Sequence, residues 1–384
     1  EEEEDKQAVH ATLGIFENLM EIAPEVAVRK LVAGDSKLID WLLKRLRKGE
    51  FDENQLYSSE ILSMILLSQD GKEAGKVVME KGGLKKLIRC IAKYRKNDPN
   101  SLDEVEMVEN VFGSICALLN GNKENQAAFA AADGLTLMVT MIRKKRYTQA
   151  AAMKVLNYAV SNNLKNCEKL IDISGLKAVF KAFMSRGKKT KKLRKELEES
   201  EEHVLSCIVQ LFANLSDIRY LRLLNKFKEN GYEKVERLVE VHEKYFSRVE
   251  NAENAYLEEH PELQSERPSS EKYQVERYMR RIDNGLHSLQ LCSVIIALVC
   301  SAGNTGILER MQQVLFQQDL SLQNVKETLE EYHANMDEEE SKTSVKMKKI
   351  VKNLLGIMEQ VITSANKPTE PKKSVESDKD APSS

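Results

Sequence analysis

Five polar residues recur where apolar runs end: Asn18, Ser68, Asn120, Asn157 and Asn214. A row of side-chain amides is chemistry for recognition, since each amide offers two donors and an acceptor to the backbone of an extended peptide. Residues for turnover do not assemble in the same way. The six histidines (His10, His203, His242, His260, His287, His333) stand apart, without HExxH or two-site ligand spacing, so no metal is expected. The six cysteines (Cys90, Cys116, Cys167, Cys207, Cys292, Cys300) lie far apart inside apolar runs and read as buried, reduced thiols of an intracellular chain. Gly187, Lys188, Lys189 and Thr190 echo a phosphate-binding loop, but the threonine is one place late and Ala182 stands where the first glycine belongs. A solvated basic loop is expected there. With no GxSxG and no kinase signature set, neither a cofactor nor an enzymatic activity is expected. The sequon Asn214-Leu215-Ser216 falls in a helical segment and is expected to be silent.

Composition narrows the classes further. The 384 residues carry 58 basic and 60 acidic side chains, a formal charge of -2, which gives no overall basic excess for nucleic acid. Hydrophobic residues make up 42%, enough for a sizeable core, while only 7 prolines and 17 glycines interrupt a helix-rich usage. The most apolar run, Leu289 to Cys300, is too short to cross a bilayer, so no membrane is expected. The chain opens on "EEEED", without a secretory signal; its first residue is not Met, which leaves room for sequence before it.

The elements that would position the amides come from a repeat. "GGLKKLIRCI" places Gly83 ahead of Leu84, Leu87, Ile88 and Ile91 on one helix face. The frame returns in "DGLTLMVTMI", "SGLKAVFKAF", more loosely in "NGYEKVERLV", and earlier in "LIDWLLKRL". Its anchors Ile39, Leu84, Leu135, Leu176 and Tyr232 are 45, 51, 41 and 56 residues apart. The long last step contains an insertion at 185–202. A short helix and a second long helix accompany each copy, and three helices per unit at this period predict an all-α armadillo array, a right-handed superhelix. The glycines are expected to allow a left-handed backbone angle or a close helix approach. The predicted organisation is about five armadillo repeats over 1–247, a connector loop over 248–272, a C-terminal helical cap over 273–337, and an amphipathic helix with a disordered tail over 338–384.

In such an array the last helix of each repeat lines an inner groove, where Asn18, Ser68, Asn120, Asn157 and Asn214 would form a ladder. Helical spacing adds Tyr57, Glu60, Glu109 and His203, a modestly acidic set. Plain capping of helix ends accounts for the asparagines equally well. Importin-type arrays place Trp one turn before the asparagine, whereas these positions hold Gly14, Met64, Cys116, Met153 and Gln210. Trp41 falls on the other long helix, where packing is the expected role.

Blocks such as "VHATLGIFENLMEIAPE", "WLLKRLRKGEFDENQLYSSEIL" and "RLLNKFKENGYEKVERLVEVHEKY" resemble the beta-catenin-like family of nuclear armadillo proteins, in order from about residue 8 to residue 337. The resemblance implies a non-enzymatic scaffold in the nucleus, attached to the spliceosome-associated nineteen complex and acting in pre-mRNA splicing. It also implies partners: a Myb-related component of that complex and other splicing factors, held through basic nuclear-localisation segments. The tail after Glu338 departs from the family pattern, and the family's basic N-terminal import signal is not in this chain. Arg186 to Lys195 could serve import instead or be a solvated loop. The alternatives are RNA binding through the basic segments 185–195 and 342–352, against which the charge balance stands, or a nuclear transport adaptor. An exposed end of the stack also allows a homodimer.

Overall fold

Apolar residues spaced three and four apart become helices that bury the same stripe. The computed structural model describes residues 3–33, 37–47, 49–144, 146–186, 191–260, 271–336 and 342–365, and every regular element among them is helical. A leading helix α1 (Glu3–Ile22) precedes six triplets. These are α2 (Pro24–Ala33), α3 (Lys37–Arg45) and α4 (Glu53–Leu67); then α5 (Gly71–Glu80), α6 (Gly83–Ala92) and α7 (Leu102–Leu119). Next come α8 (Lys123–Ala131), α9 (Gly134–Lys144) and α10 (Gln149–Val160), then α11 (Leu164–Asp172), α12 (Leu176–Phe183) and α13 (Lys191–Asn214). The fifth triplet is α14 (Asp217–Asn225), α15 (Glu229–Glu259) and α17 (Leu286–Cys300), with α16 (Glu271–Asp283) inserted before α17. The sixth is α18 (Thr305–Phe316), α19 (Leu322–Ala334) and α20 (Lys342–Ala365).

The third helices form a continuous ladder in which α1, α4, α7, α10, α13, α17 and α20 each pack on the next. One hydrophobic core runs with them, from Leu13 to Met358. The anchors Ile39, Leu84, Leu135 and Leu176 are all buried in it, and Trp41 packs against it from the side. A triplet alone would leave these faces in water. Each buried Leu or Ile is worth about 1.5–3 kcal/mol, so stacking stabilises what the isolated unit cannot.

The turns explain the glycine frame. Between the first and second helices the left-handed residue is the one before the anchor glycine: Gly82 (φ 66), Asp133 (φ 57) and Ser174 (φ 61). The next residue then sits against the preceding helix without room for a side chain. A Cβ at Gly134 would lie 2.5 Å from the Phe129 ring, and one at Gly175 2.1 Å from Leu170 Cδ1. At Gly134 and Gly175 the glycine provides close approach and not the backbone angle, whereas Gly231 of the looser copy is itself left-handed (φ 64) with open space where a Cβ would stand.

Three expectations about boundaries shift. The stretch predicted as a connector from 248 is helical to Glu259 within α15, because Val249, Ala252 and Tyr256 continue that helix's buried stripe; residues 261–270 lie outside the described residues. The 185–202 insertion does not loop out over its whole length, since α13 starts at Lys191 and runs on into the ladder. The segment predicted to cap the array continues it. Its entry turn repeats earlier ones: left-handed Gly121 followed by N-cap Asn122, left-handed Asn162 followed by N-cap Asn163, and left-handed Gly303 followed by N-cap Asn304. The predicted disordered tail, from 366 onward, lies outside the described residues.

Candidate partner-binding groove

The ladder of third helices and their C-caps carries all nine residues predicted from the sequence, but they do not act alike. Asn18 and Asn214 turn their amides back on their own helices, donating to the carbonyls of Gly14 at 2.8 Å and Gln210 at 2.7 Å. The Ser68 hydroxyl does the same to Ile65. For Ser68 and Asn214, at the ends of α4 and α13, capping describes the observed bonds, whereas Asn18 lies four residues inside α1 and bonds back to its own helix without capping it. Asn120 is exposed at the C-cap of α7, and Asn157 points its amide at His203 Nδ1, 3.5 Å away. The Oδ1 of Asn157 is buried without a partner among the described residues.

Electrostatics divide the groove into zones. Glu60 on α4 faces Glu17 and Glu21 from α1 and Glu106 from α7; burial first, and then these three carboxylates, hold its pKa above the ordinary range. None of the four forms a hydrogen bond or ion pair through its side chain among the described residues. Tyr57 is raised as well, by burial and then by Glu17, Glu60 and Glu53, and its ring meets His10 edge-on at 4.7 Å. Glu109 differs from its neighbours in accepting a hydrogen bond from the Tyr147 hydroxyl.

The middle of the groove is internally neutralised. Lys154 Nζ lies 2.7 Å from Glu199 Oε1. Burial works against the Lys154 charge, but the bond to Glu199 more than offsets it and the ammonium is held raised. His203 is buried and its pKa is pushed down to about 4, first by burial and then by Lys154, so it is neutral at ordinary pH. The thiols of Cys116 and Cys167 are pushed up to about 12 by burial, which removes the thiolate a nucleophile needs.

At the far end Lys346 of α20 donates to Asn214 Oδ1 at 2.8 Å, across 132 residues of sequence. Of the two predicted basic segments, 342–352 is thus the first part of a packed helix, with Val351 fully buried. In 185–195, Arg186 pairs with Glu240 at 2.9 Å, residues 187–190 lie outside the described residues, and α13 begins at Lys191. A separate cavity of about 260 Å³ opens between α15, α16, α17 and α19, but its arginines are already engaged, Arg277 with Glu253 and Arg281 with Glu331.

Sequence reasoning missed Glu17, Glu21, Glu106 and Lys346. Glu106 stands one helical turn from Glu109, and Glu17 adjoins Asn18, so helical spacing carried part of the signal. Nothing in the sequence joined Lys346 to Asn214.

Comparison with known proteins agrees with this architecture. A model of the family described as "Catenin-beta-like, Arm-motif containing nuclear" matches residues 1–330. The chain is 37% identical over 339 residues to Beta-catenin-like protein 1 of Bos taurus, covering 87% of this chain and 59% of that protein. To the Homo sapiens protein of the same name it is 36% identical over 362 residues, covering 93% of this chain and 62% of that one. The Schizosaccharomyces pombe homolog is 28% identical over 342 residues, covering 88% and 57%. The chain therefore spans about 60% of the length of the mammalian relatives. A solved designed armadillo repeat protein aligns with a TM-score of 0.46 at 15% identity, over 83% of this chain and 99% of that one. Six stacked triplets with a shared inner ladder and the match over residues 1–330 lead to one conclusion: the chain belongs to the catenin-beta-like, Arm-motif-containing family.

Proposed function

We propose that this chain is a non-enzymatic scaffold of the nucleus, acting in pre-mRNA splicing as part of the nineteen complex, whose groove holds lysine- and arginine-rich segments of splicing factors. A Myb-related component of that complex is the partner of choice. The observation that carries the reading is the group of four carboxylates at Glu17, Glu21, Glu60 and Glu106, gathered from three neighbouring helices with no ion pair to a cation among the described residues. Folding them together costs repulsion, and a basic segment laid across α1, α4 and α7 would relieve it. Such contacts are worth about 1.5–3 kcal/mol each where desolvated and about 0.2–1 kcal/mol where exposed.

The test is fluorescence anisotropy with a lysine-rich peptide from a Myb-related splicing factor. Replacing Glu60→Lys and Glu106→Lys together should weaken binding at least about tenfold, with a steeper loss at low salt. Equal affinity of the variant and the unaltered chain would refute the site. Recovery of splicing factors from nuclear extract with the unaltered chain, and their loss with the double variant, would tie the site to the process.

A further inference from the structure

The charge of the groove changes sign along its length. The acidic zone on α1, α4 and α7 is followed by a neutral stretch, where Lys154 is matched by Glu199 and His203 is buried. The next ladder helix, α17, carries no Asp, Glu, Lys or Arg. The last, α20, turns basic: Lys346 and Lys349 are both exposed, three residues apart on one side of the helix, and neither forms an ion pair among the described residues. Lys346 is tied into the ladder through Asn214 at 2.8 Å, which fixes this basic end at the groove. The helix itself is held by buried Val351, Leu354 and Met358, and it lies beyond the residues matched by the family model.

We infer that the groove takes a segment of split charge, its basic end on α1, α4 and α7 and an acidic end at Lys346 and Lys349. The basic half rests on the reading proposed above; the acidic half is new. Spacing follows from the ladder. From α7 to α20 there are four steps, α10, α13, α17 and α20, each of about 8–10 Å between packed helices, or roughly 32–40 Å in all. An extended chain covers about 3.3 Å per residue, so about 10–12 residues separate the two charged ends. A shorter spacer cannot reach both zones.

Three synthetic peptides test this on the full chain by anisotropy: four basic residues, a twelve-residue neutral spacer and four acidic residues; the same peptide with the acids replaced by serine; and the split-charge peptide with a four-residue spacer. The acidic end should tighten binding about 2- to 20-fold, as expected for two exposed charge pairs. The gain should vanish with the short spacer and in the double variant Lys346→Glu, Lys349→Glu, while binding of the serine-ended peptide changes by less than about twofold, since the basic end sits several Debye lengths away. An unchanged helical circular dichroism spectrum and melting temperature confirm that the variant is folded. Equal affinity of the first two peptides, with the serine-ended one still bound, overturns the split-charge inference and leaves the basic-segment reading standing. Failure of the serine-ended peptide to bind overturns both. If the acidic end gives no gain but a twelve-nucleotide single-stranded RNA loses affinity in the double variant, the patch is a nucleic-acid contact and the inference falls.

Discussion

Gly134→Ala puts the account of the repeat turn at risk, because two effects of opposite sign meet there. In a helix start with ordinary backbone angles, alanine in place of glycine stabilises by about 0.4–1 kcal/mol by restricting the unfolded chain. Against this, the new Cβ would stand 2.5 Å from both Cε2 and Cζ of Phe129 and 2.6 Å from Cδ2. Phe129 is completely buried, so the ring must move by about 1 Å to restore ordinary contact and will press on the core behind it. Overpacking of this kind costs about 1–3 kcal/mol, and the net expectation is destabilisation by about 1–2 kcal/mol, larger for Gly134→Val. Urea unfolding followed by circular dichroism, with the slope compared between variants, reads this directly. Phe129→Leu combined with Gly134→Ala should cost less than the sum of the two single changes, because the smaller side chain vacates the contested space. A Gly134→Ala variant as stable as the unaltered chain, or more so, would refute the close-approach explanation.

Two further outcomes follow from buried charge. Arg237, on α15, donates to Glu201 of α13 at 2.7 Å and to the Phe183 carbonyl at 3.1 Å, while Glu201 also meets Lys244 and Tyr245. Arg237→Ala should lower stability by about 3 kcal/mol, measured by denaturant midpoint, since it strips the half-buried Glu201 carboxylate of one partner and leaves a cavity where the buried guanidinium stood. His242 is fully buried with neither ring nitrogen bonded among the described residues, and burial pushes its pKa down to about 4 from the ordinary 6.5. Its folded-state pKa lies below the unfolded one, so its stabilising share is present above about pH 6.5 and is lost as pH falls toward 4. The loss is about 3 kcal/mol, and His242→Phe should flatten the stability–pH curve in that window.

The helical triplets and their stacking were legible in the sequence because apolar periodicity is a local property. Ile39, Leu84, Leu135 and Leu176 recur in a fixed frame, and burial of that frame is the dominant favourable free energy. Boundaries were less legible where the frame loosened. The helical insertion α16 separates α15 from α17, so the third helix of the fifth triplet and the whole sixth triplet did not announce themselves as part of the repeat, although the Gly303–Asn304 turn matches Gly121–Asn122. The asparagines illustrate a second limit: their spacing is visible, but whether an amide faces a ligand or its own helix depends on side-chain torsions that sequence does not encode. Only the tertiary structure decided the charge layout. Glu17, Glu60 and Glu106 belong to different repeats and become neighbours only when α1, α4 and α7 stack. Lys346 meets Asn214 across 132 residues for the same reason. Helix formation responds to neighbours three and four residues away, whereas Coulomb interactions act through space, so the sequence determined the scaffold and folding determined its electrostatic face.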